Sequence, residues 1–491
     1  MTSSPWLGWI GIIRLGLVQT ALGAIVVLTT TVINRVMVVE LALPALLPGL
    51  LVGVHFGVQF TRPHMGHGSD CGGRRTPWII GGVLTLAIGS ILAAMGTAVI
   101  PASLAGGIAL ALLGFVLVGL GVAAAGTSLL VLLAATVQPR FRGAAATTVW
   151  IMMIAGFILT TIVAGAQLDP YSHARLVAVT AAVAAVAFVV ATLAVSGIER
   201  RFDAPAARAA RAALEPAGAK AVTGALPEGE SATGSATGSV AVGVAAPRFR
   251  EALAEVWAEP AARRFSLFVF VSMLAYSAQD LVLEPFAGAV HGFSVGESTI
   301  LSGTHHQGVL FGLLLVALAT ARFARRQALS GAMRVVTSRL GSLRFWTLFG
   351  CCLSAAALAA LGTGAFRPDL APLTTLVLLL GLGNGLFAAG AIGSMMDLVG
   401  QGGAGREGLR MGLWGAAQAI AFGLAGVCAT TVVDLARFAT GDVRYAYATV
   451  FAVQVALFLC AAVLARSVYR PAAPEVRQPF DHRRAALELN T

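Results

Sequence analysis

The chain has 491 residues, of which 57% are apolar and 11% are charged, and its mean hydropathy is +0.85. These values exclude a soluble enzyme, because a water-soluble domain of this size needs a far more polar surface. The formal net charge of +11 suggests a nucleic-acid partner at first. However, the basic residues stand in short stretches between long apolar runs, as is typical of a membrane protein.

Apolar runs of about 20 residues recur along the whole chain, which is the length that an α-helix needs to cross a bilayer. A β-barrel would instead show alternating segments of about ten residues. The sequence therefore predicts an all-α membrane protein of about twelve transmembrane helices in two six-helix halves. The expected spans are 12–33, 43–61, 77–99, 105–131, 144–166, 175–197, 265–287, 298–320, 345–363, 372–396, 411–433 and 446–465.

The basic residues predict the topology. If the N-terminus lies inside, all but five of the 33 Lys and Arg residues fall on the inner side, the exceptions being Arg35, Arg175, Arg367, Arg437 and Arg444. By the positive-inside rule both termini are then cytoplasmic. We expect a multi-pass protein of the cytoplasmic membrane, either the inner or the intracytoplasmic one.

Hydrophobicity collapses between the sixth and seventh spans into a stretch rich in Ala, Gly, Pro and Ser, which cannot bury a core. We therefore divide the chain into an N-terminal half (1–197), a flexible cytoplasmic linker (198–262), a C-terminal half (263–466) and a cytoplasmic tail (467–491). Apolar residues at helical spacing near the end of the linker indicate a juxtamembrane amphipathic helix, and the alternative is an ordinary helical lead-in to the seventh span.

The two halves show a faint repeat. His55-Phe-Gly-Val-Gln-Phe60 in the second span is similar to His306-Gln-Gly-Val-Leu-Phe311 in the eighth. Such a match at corresponding places favours two halves related by an axis along the membrane normal.

The loop after the second span contains Gly66, Asp70, Gly73, Arg74 and Arg75, and this spacing resembles the signature of the major facilitator superfamily. Glycines permit a tight turn, and Asp70 can cap a helix N-terminus while the two arginines hold the inner side. The alternative is a merely basic turn. The predicted cytoplasmic gating motif consists of Gly66, Asp70, Gly73, Arg74, Arg75, Asp397 and Arg406.

Polar residues inside spans are costly and therefore indicate function. Asn34, Arg35 and Glu40 lie at the outer end of the first span, whereas Gln279, Asp280 and Glu284 lie in the seventh. In a superfamily-type fold both helices line the central cavity, so we expect Arg35 to pair with Asp280 or Glu284. A buried charge without such a partner would be strongly destabilising. The cluster is interpreted as a pigment or substrate cavity, and the alternative is a structural ion pair or an exposed interfacial cluster.

Three histidines fall in apolar spans, namely His55, His305 and His306. A neutral imidazole is a good axial ligand for a five-coordinate metal, including the magnesium of a chlorophyll. The alternative is that each imidazole simply hydrogen-bonds to a neighbouring helix.

The sequence offers no catalytic pattern. It lacks a nucleophile elbow and a phosphate-binding loop, and its only lysine, Lys220, lies in the linker. We therefore expect a protein that is not an enzyme.

Several motifs resemble the PucC/LhaA proteins, the bacteriochlorophyll delivery branch of the major facilitator superfamily. They are Asn-Arg-Val-Met-Val-Val-Glu-Leu at 34–41, Gln-Asp-Leu-Val-Leu-Glu-Pro-Phe at 279–286, Gly-Phe-Ser-Val-Gly at 292–296, Gly-Asn-Gly-Leu-Phe at 383–387, Met-Asp-Leu at 396–398 and Gly-Leu-Trp-Gly-Ala-Ala-Gln at 412–418. Arg35, Glu40, Asp280, Glu284, Asp397 and Gln418 match motif positions of that family, and Gln418 joins the predicted cavity.

This resemblance implies an assembly factor for bacterial light-harvesting complexes, which binds (bacterio)chlorophyll and delivers it to antenna polypeptides in the membrane. The pigment is then cargo and not a covalent cofactor. The expected partners are antenna polypeptides, bacteriochlorophyll-synthesis enzymes and lipid, with no nucleic acid.

Two alternatives stay open. The first is a secondary transporter of a small amphiphile, with Asp280 or Glu284 coupling transport to protons. The second is a scaffold that shields antenna polypeptides from wrong pairing and binds no pigment.

Overall fold

The computed structural model describes residues 6–62, 65, 74–138, 141–199, 257–324, 340–401 and 407–468. Within these ranges the chain forms twelve helices of at least 16 residues and no strand. They are α1 (Trp9–Glu40), α2 (Leu46–Thr61), α3 (Thr76–Val99), α4 (Leu104–Thr136), α5 (Arg142–Leu168), α6 (His173–Val195), α7 (Pro260–His291), α8 (Val295–Ala324), α9 (Leu343–Gly364), α10 (Leu373–Gln401), α11 (Glu407–Thr440) and α12 (Val443–Val468).

Eleven of these helices are long and apolar enough to cross a membrane. The exception among the described helices is α2, whose 16 residues fall below the roughly 20 that a perpendicular span requires. The helices otherwise extend beyond most of the expected spans at one or both ends. The number, order and type of the predicted elements are confirmed.

The first helix extends well beyond its predicted span, which ended at residue 33. It continues to Glu40 through two π-helical stretches, Leu28–Val32 and Val36–Glu40. Asn34 and Arg35 are therefore buried inside the bundle, with exposed fractions of 0% and 2%.

Helix packing follows the same scheme in α1–α6, the N-half, and in α7–α12, the C-half. In the N-half α1 packs on α5 and α6, α3 packs on α4 and α6, and α2 packs on α4. In the C-half α7 packs on α11 and α12, α9 packs on α10 and α12, and α8 packs on α10. The halves meet through α2 with α11 and through α5 with α8. This pairing is the predicted six-plus-six arrangement.

The repeat is real, but its register differs by one residue from the sequence alignment. Gly119 of α4 packs against the carbonyl oxygen of His55, and Gly381 of α10 packs against the carbonyl oxygen of His305. The structural counterpart of His55 is therefore His305 and not His306.

Glycines allow α3 and α4 to approach closely, as is common where helices associate in lipid. The carbonyl oxygen of Gly121 and the backbone nitrogen of Ala125 both lie close to the point where Gly82 would carry a Cβ. The neighbouring Gly81 faces away from this contact, with no atom within 4 Å of an added Cβ.

We expect Gly82→Ala to destabilise the N-half. The added Cβ would lie 2.6 Å from the backbone nitrogen of Ala125, and overpacking of this kind costs about 1–3 kcal/mol. Gly81→Ala is the matched control, since it meets no neighbour. Thermal unfolding in mild detergent should show a lower midpoint for Gly82→Ala alone. Equal midpoints for the two variants would contradict this helix contact.

Candidate functional site

The helix ends define two ends of the bundle. The Glu40 end contains the C-terminal end of α1 together with Leu46, Leu168 and His291, and the opposite Trp9 end contains the N-terminal end of α1. Under the predicted topology the Glu40 end faces away from the cytoplasm.

Arg35 lies buried at the Glu40 end, and its pairing differs from the prediction. Its Nη1 donates to Oε1 of Glu40 at 2.5 Å, and its Nη2 donates to the carbonyl oxygen of Phe293 at 2.7 Å. The π-helical turn from Val36 to Glu40 permits a partner five residues further along the same helix. The expected ion pair with Asp280 or Glu284 is therefore wrong, and Arg35 reaches the C-half through a carbonyl oxygen.

Tyr171 lies beside this ion pair, in the loop that joins α5 to α6. Burial and, to a smaller extent, the nearby Glu40 carboxylate raise the pKa of Tyr171 to about 12. Its hydroxyl lies 2.9 Å from Nδ1 of His173. Tyr171 is therefore neutral at physiological pH and forms a hydrogen bond at the Glu40 end.

Asn34 adds a second contact between α1 and α7. Its Nδ2 donates to the carbonyl oxygen of Leu281 at 2.7 Å, while its Oδ1 is buried and accepts no hydrogen bond. The side chain therefore joins the two halves and leaves one acceptor unused.

Asp169, at the end of α5, caps the N-terminus of α8 in the other half. Its carboxylate accepts from the Ser294 hydroxyl at 2.6 Å and from the backbone N–H of Gly296 at 3.1 Å. A carboxylate at this place satisfies free N–H groups and also complements the helix dipole.

Asp434, near the end of α11, caps the N-terminus of α2 in the other half. Its carboxylate accepts from the backbone N–H groups of Ala45 at 2.9 Å and Leu46 at 2.7 Å. Because α5 and α8 correspond to α11 and α2 in the repeat, the two caps are pseudo-symmetric. Together with Arg35 and Asn34 they hold the halves together at the Glu40 end.

A group of titratable side chains lies deeper in the C-half. The candidate ligand atoms of Asp280, His305 and His306 all lie within 4.8 Å of one another. Both histidines are buried, whereas Asp280 is half-buried although it lies within α7. The partial exposure of Asp280 indicates an opening between the helices at this level.

Asn384 of α10 organises the polar groups around His305. Its Oδ1 accepts from the Ser354 hydroxyl at 2.8 Å, and its Nδ2 donates to Oε1 of Gln279 at 2.6 Å and lies 3.0 Å from Nε2 of His305. In this orientation of the amide Nδ2 is a donor only, so Nε2 of His305 is an acceptor and is already engaged.

His306 differs from His305 because its Nε2 is not held by an amide donor. Its Nδ1 lies 2.8 Å from the carbonyl oxygen of Ser302, an acceptor only, so Nδ1 carries the hydrogen and Nε2 keeps its lone pair. Phe157 of α5 packs edge-on against the imidazole at a centroid distance of 4.8 Å. A backbone carbonyl on one ring nitrogen is the usual way in which proteins orient a metal-binding histidine.

His55 lies apart from this group, in α2 of the N-half. Its Nε2 lies 3.0 Å from Nε2 of Gln59, and the oxygen of the Gln59 amide accepts from Arg62. Gln59 is therefore the donor, and the buried Nδ1 of His55 has no partner. Of the three predicted ligands, His306 alone has a free lone pair on a nitrogen oriented by a carbonyl.

The remaining predicted site residues fall in different places. Glu284 is 1% exposed, one helical turn beyond Asp280, and Gln418 is half-buried in α11. Gly66, Asp70, Gly73 and Arg406 lie outside the described residues, as does the side chain of Asp397.

Arg75 lies directly before α3, and among the described residues the cap of this helix is Glu199, whereas the predicted cap Asp70 lies outside them. The Glu199 carboxylate accepts from the backbone N–H groups of Arg75 at 2.6 Å and Thr76 at 2.8 Å. Glu199 follows α6, so this cap lies within the N-half.

Sequence reasoning missed Asp169, Asp434, Glu199, Ser354 and Asn384. Asn384 stands in one of the motifs that carry the family resemblance, between Gly383 and Gly385, and its position within an apolar run was the available signal. The carboxylates carried no comparable signal, because their partners are backbone groups of helices distant in the sequence.

Solved structures share this fold over nearly the whole chain. A bacterial homolog of the human lysosomal transporter Spinster, in an inward-facing and unoccupied conformation, has a TM-score of 0.63 at 17% identity and covers 94% of this chain and 98% of its own. A D-xylose-proton symporter has a TM-score of 0.63 at 14% identity and covers 94% and 97%. The fold and the paired halves define a multi-pass membrane protein of the major facilitator superfamily fold.

Within that class, the chain belongs to the PUCC protein family, whose sequence model matches residues 32–223 and 231–473. A Rhodobacter capsulatus protein named bacteriochlorophyll synthase 44.5 kDa chain is 46% identical over 462 residues, which are 94% of this chain and 96% of that protein. Protein PucC of Cereibacter sphaeroides is 28% identical over 435 residues, 84% and 81% of the two chains. The resemblance to the PucC/LhaA proteins is thereby confirmed.

We expect Asp434→Ala to loosen the Glu40 end, because two N–H groups of α2 lose their acceptor. Loss of a helix cap costs about 0.5–2 kcal/mol. Spin labels at the exposed positions Ala102 and Leu370, one in each half at this end, should give a longer and broader distance distribution after the substitution. Asp442→Ala, in an exposed turn, is the matched control. An unchanged distribution in Asp434→Ala would contradict the role of this cap.

Proposed function

We propose that the protein is an assembly factor for bacterial light-harvesting complexes. It binds bacteriochlorophyll and delivers it, chemically unchanged, to antenna polypeptides in the cytoplasmic or intracytoplasmic membrane. Family membership and the 46% identity to a relative whose name refers to bacteriochlorophyll support this proposal. The same relative is named as a synthase, whereas the proposed role here is that of a carrier without catalysis.

The observation that carries the proposal is the arrangement of His306. The magnesium of a chlorophyll takes one axial ligand from a neutral imidazole, and such a ligand needs a free nitrogen lone pair in a water-poor place. His306 offers Nε2 in this form because its Nδ1 is oriented by the carbonyl oxygen of Ser302. Asp280, close to it and half-buried, marks the opening from which a ligand can reach the ring.

We expect His306→Ala to remove bound pigment. The protein purified in mild detergent from a phototrophic host should carry a near-infrared bacteriochlorophyll band, and the variant should lose most of it because the axial ligand is gone. The measurement is the ratio of pigment to protein by absorption. His55→Ala is the matched control, since Nε2 of His55 already accepts from Gln59, and it should keep the band.

Each other outcome has a defined meaning. A band that persists in His306→Ala and disappears in His55→Ala would contradict the assignment of the ligand. The wild-type protein could carry no pigment although antenna complexes assemble normally when it is present. This result would contradict pigment delivery and favour the scaffold function. Pigment that is extracted in an altered chemical form would contradict a carrier and favour an enzyme.

A secondary transporter of a small amphiphile is the second candidate, with antenna assembly as an indirect result. It is favoured by the paired caps of Asp169 and Asp434, which close one end of a two-half bundle as alternating access requires. A transporter coupled to protons through Asp280 should lose gradient-dependent uptake in Asp280→Asn. An assembly factor should support antenna formation equally well when the proton gradient is collapsed.

A further inference from the structure

Glu284 is a buried carboxyl group whose surroundings do not satisfy it. It lies on α7 at 1% exposure, and neither of its oxygens has a hydrogen bond of normal geometry to a described residue, although the Thr31 and Ser302 hydroxyls are close enough to interact with it. An ionised carboxylate in such a place is strongly destabilising unless a positive charge or a set of donors balances it.

The groups beside Glu284 are mostly oxygens. The hydroxyls of Thr31 on α1 and Ser302 on α8 lie next to the carboxylate. The single hydrogen of the Thr31 hydroxyl is donated to the carbonyl oxygen of Val27 at 2.8 Å. Thr31 therefore presents oxygen lone pairs to the carboxylate, and two such groups repel each other unless a positive charge lies between them.

Asn34 carries a further unused oxygen at the contact between the same two helices, α1 and α7. It lies one turn beyond Thr31 on α1, and its amide nitrogen is fixed on the carbonyl oxygen of Leu281, one turn before Glu284 on α7. Its Oδ1 is fully buried and has no partner. Thr31 itself stands in the π-helical stretch Leu28–Val32, a distortion that is common at functional sites.

Arg35 is the positive charge that acts on Glu284, but no hydrogen bond joins the two side chains, although Nε of Arg35 is buried without a partner. Two of its nitrogens are bonded to Glu40 and to the carbonyl oxygen of Phe293. Arg35 and Glu40 balance each other, so an ionised Glu284 would leave one negative charge in excess. A proton could serve only one of the two carboxylate oxygens, whereas a metal cation can contact both of them and the neighbouring oxygens.

We propose that Glu284, Thr31, Asn34 and Ser302 form a binding site for a sodium ion between α1, α7 and α8. All four ligands offer oxygen, which suits a hard cation, and a single carboxylate matches one positive charge. Asp280 lies one helical turn away on the same face of α7 and is half-buried, so it provides the entrance from the opening in the C-half. The proposal is independent of the cargo that the protein carries.

The test is sodium-dependent stability of the full-length protein in detergent. At constant ionic strength, replacing choline chloride by sodium chloride should raise the unfolding midpoint in a saturable manner, because an ion that binds only the folded state stabilises it. Glu284→Gln should lose this shift, and Asp442→Asn, an acid-to-amide change in an exposed turn, should retain it. Binding of radioactive sodium should approach one ion per wild-type chain.

If Glu284→Gln fails to fold, Ser302→Ala and Thr31→Val decide the question, since each removes one neutral ligand. Each should raise the sodium concentration that gives half of the shift. Equal midpoints of the wild type in sodium and in choline would overturn the proposal and leave a protonated Glu284. A full sodium response in Glu284→Gln would also overturn it, because the ion would then bind elsewhere.

Discussion

In hydrocarbon a polar atom has no water to bind, so each buried donor or acceptor of the bundle needs a partner within the protein. In the C-half a single side-chain amide, that of Asn384, binds several of these buried polar groups. Asn384 of α10 holds Ser354 of α9, Gln279 of α7 and His305 of α8 at the same time. Loss of that amide would leave three buried groups on three helices without a partner, so the packing of four helices depends on it.

The same constraint acts where helices begin, because the first N–H groups of a helix have no partner within it. At the Glu40 end each half supplies the hydrogen-bond acceptor for the first N–H groups of a helix in the other half. Asp169 of the N-half caps α8, and Asp434 of the C-half caps α2. Because each carboxylate belongs to one half and each helix start to the other, the halves cannot separate at this end without exposing both sets of groups. The two helix caps therefore keep this end of the bundle closed.

The sequence was sufficient for the features that depend on hydrophobicity alone. The number and order of the helices and the six-plus-six repeat follow from long apolar runs and from two short matching segments. The register of the repeat was missed by one residue, because His305 and His306 are adjacent and either one matches His55. Only the contact of His305 with Gly381 of α10 shows which of the two histidines corresponds to His55.

The sequence predicted which residues belong to the candidate site, but it did not predict which of them bind each other. Arg35 and Glu40 are five residues apart, a spacing that an ordinary α-helix does not bring together, and the π-helical turn that allows their contact leaves no clear mark in the sequence. The caps of Asp169 and Asp434 were missed because a backbone N–H has no sequence signature. Long-range partners of this kind become visible only when the helices are placed in space.

Two adjacent imidazoles illustrate how hydrogen-bond partners assign roles that residue type cannot. An amide that donates to Nε2 makes His305 part of the packing, whereas a carbonyl that accepts from Nδ1 leaves Nε2 of His306 free. Ser302 then connects this ring to the rest of the site, because its carbonyl orients His306 while its hydroxyl lies beside Glu284. Both groups belong to one residue of α8, so the surroundings of Glu284 and of His306 meet at Ser302. The buried carboxyl group and the proposed pigment ligand are therefore neighbours of a single residue.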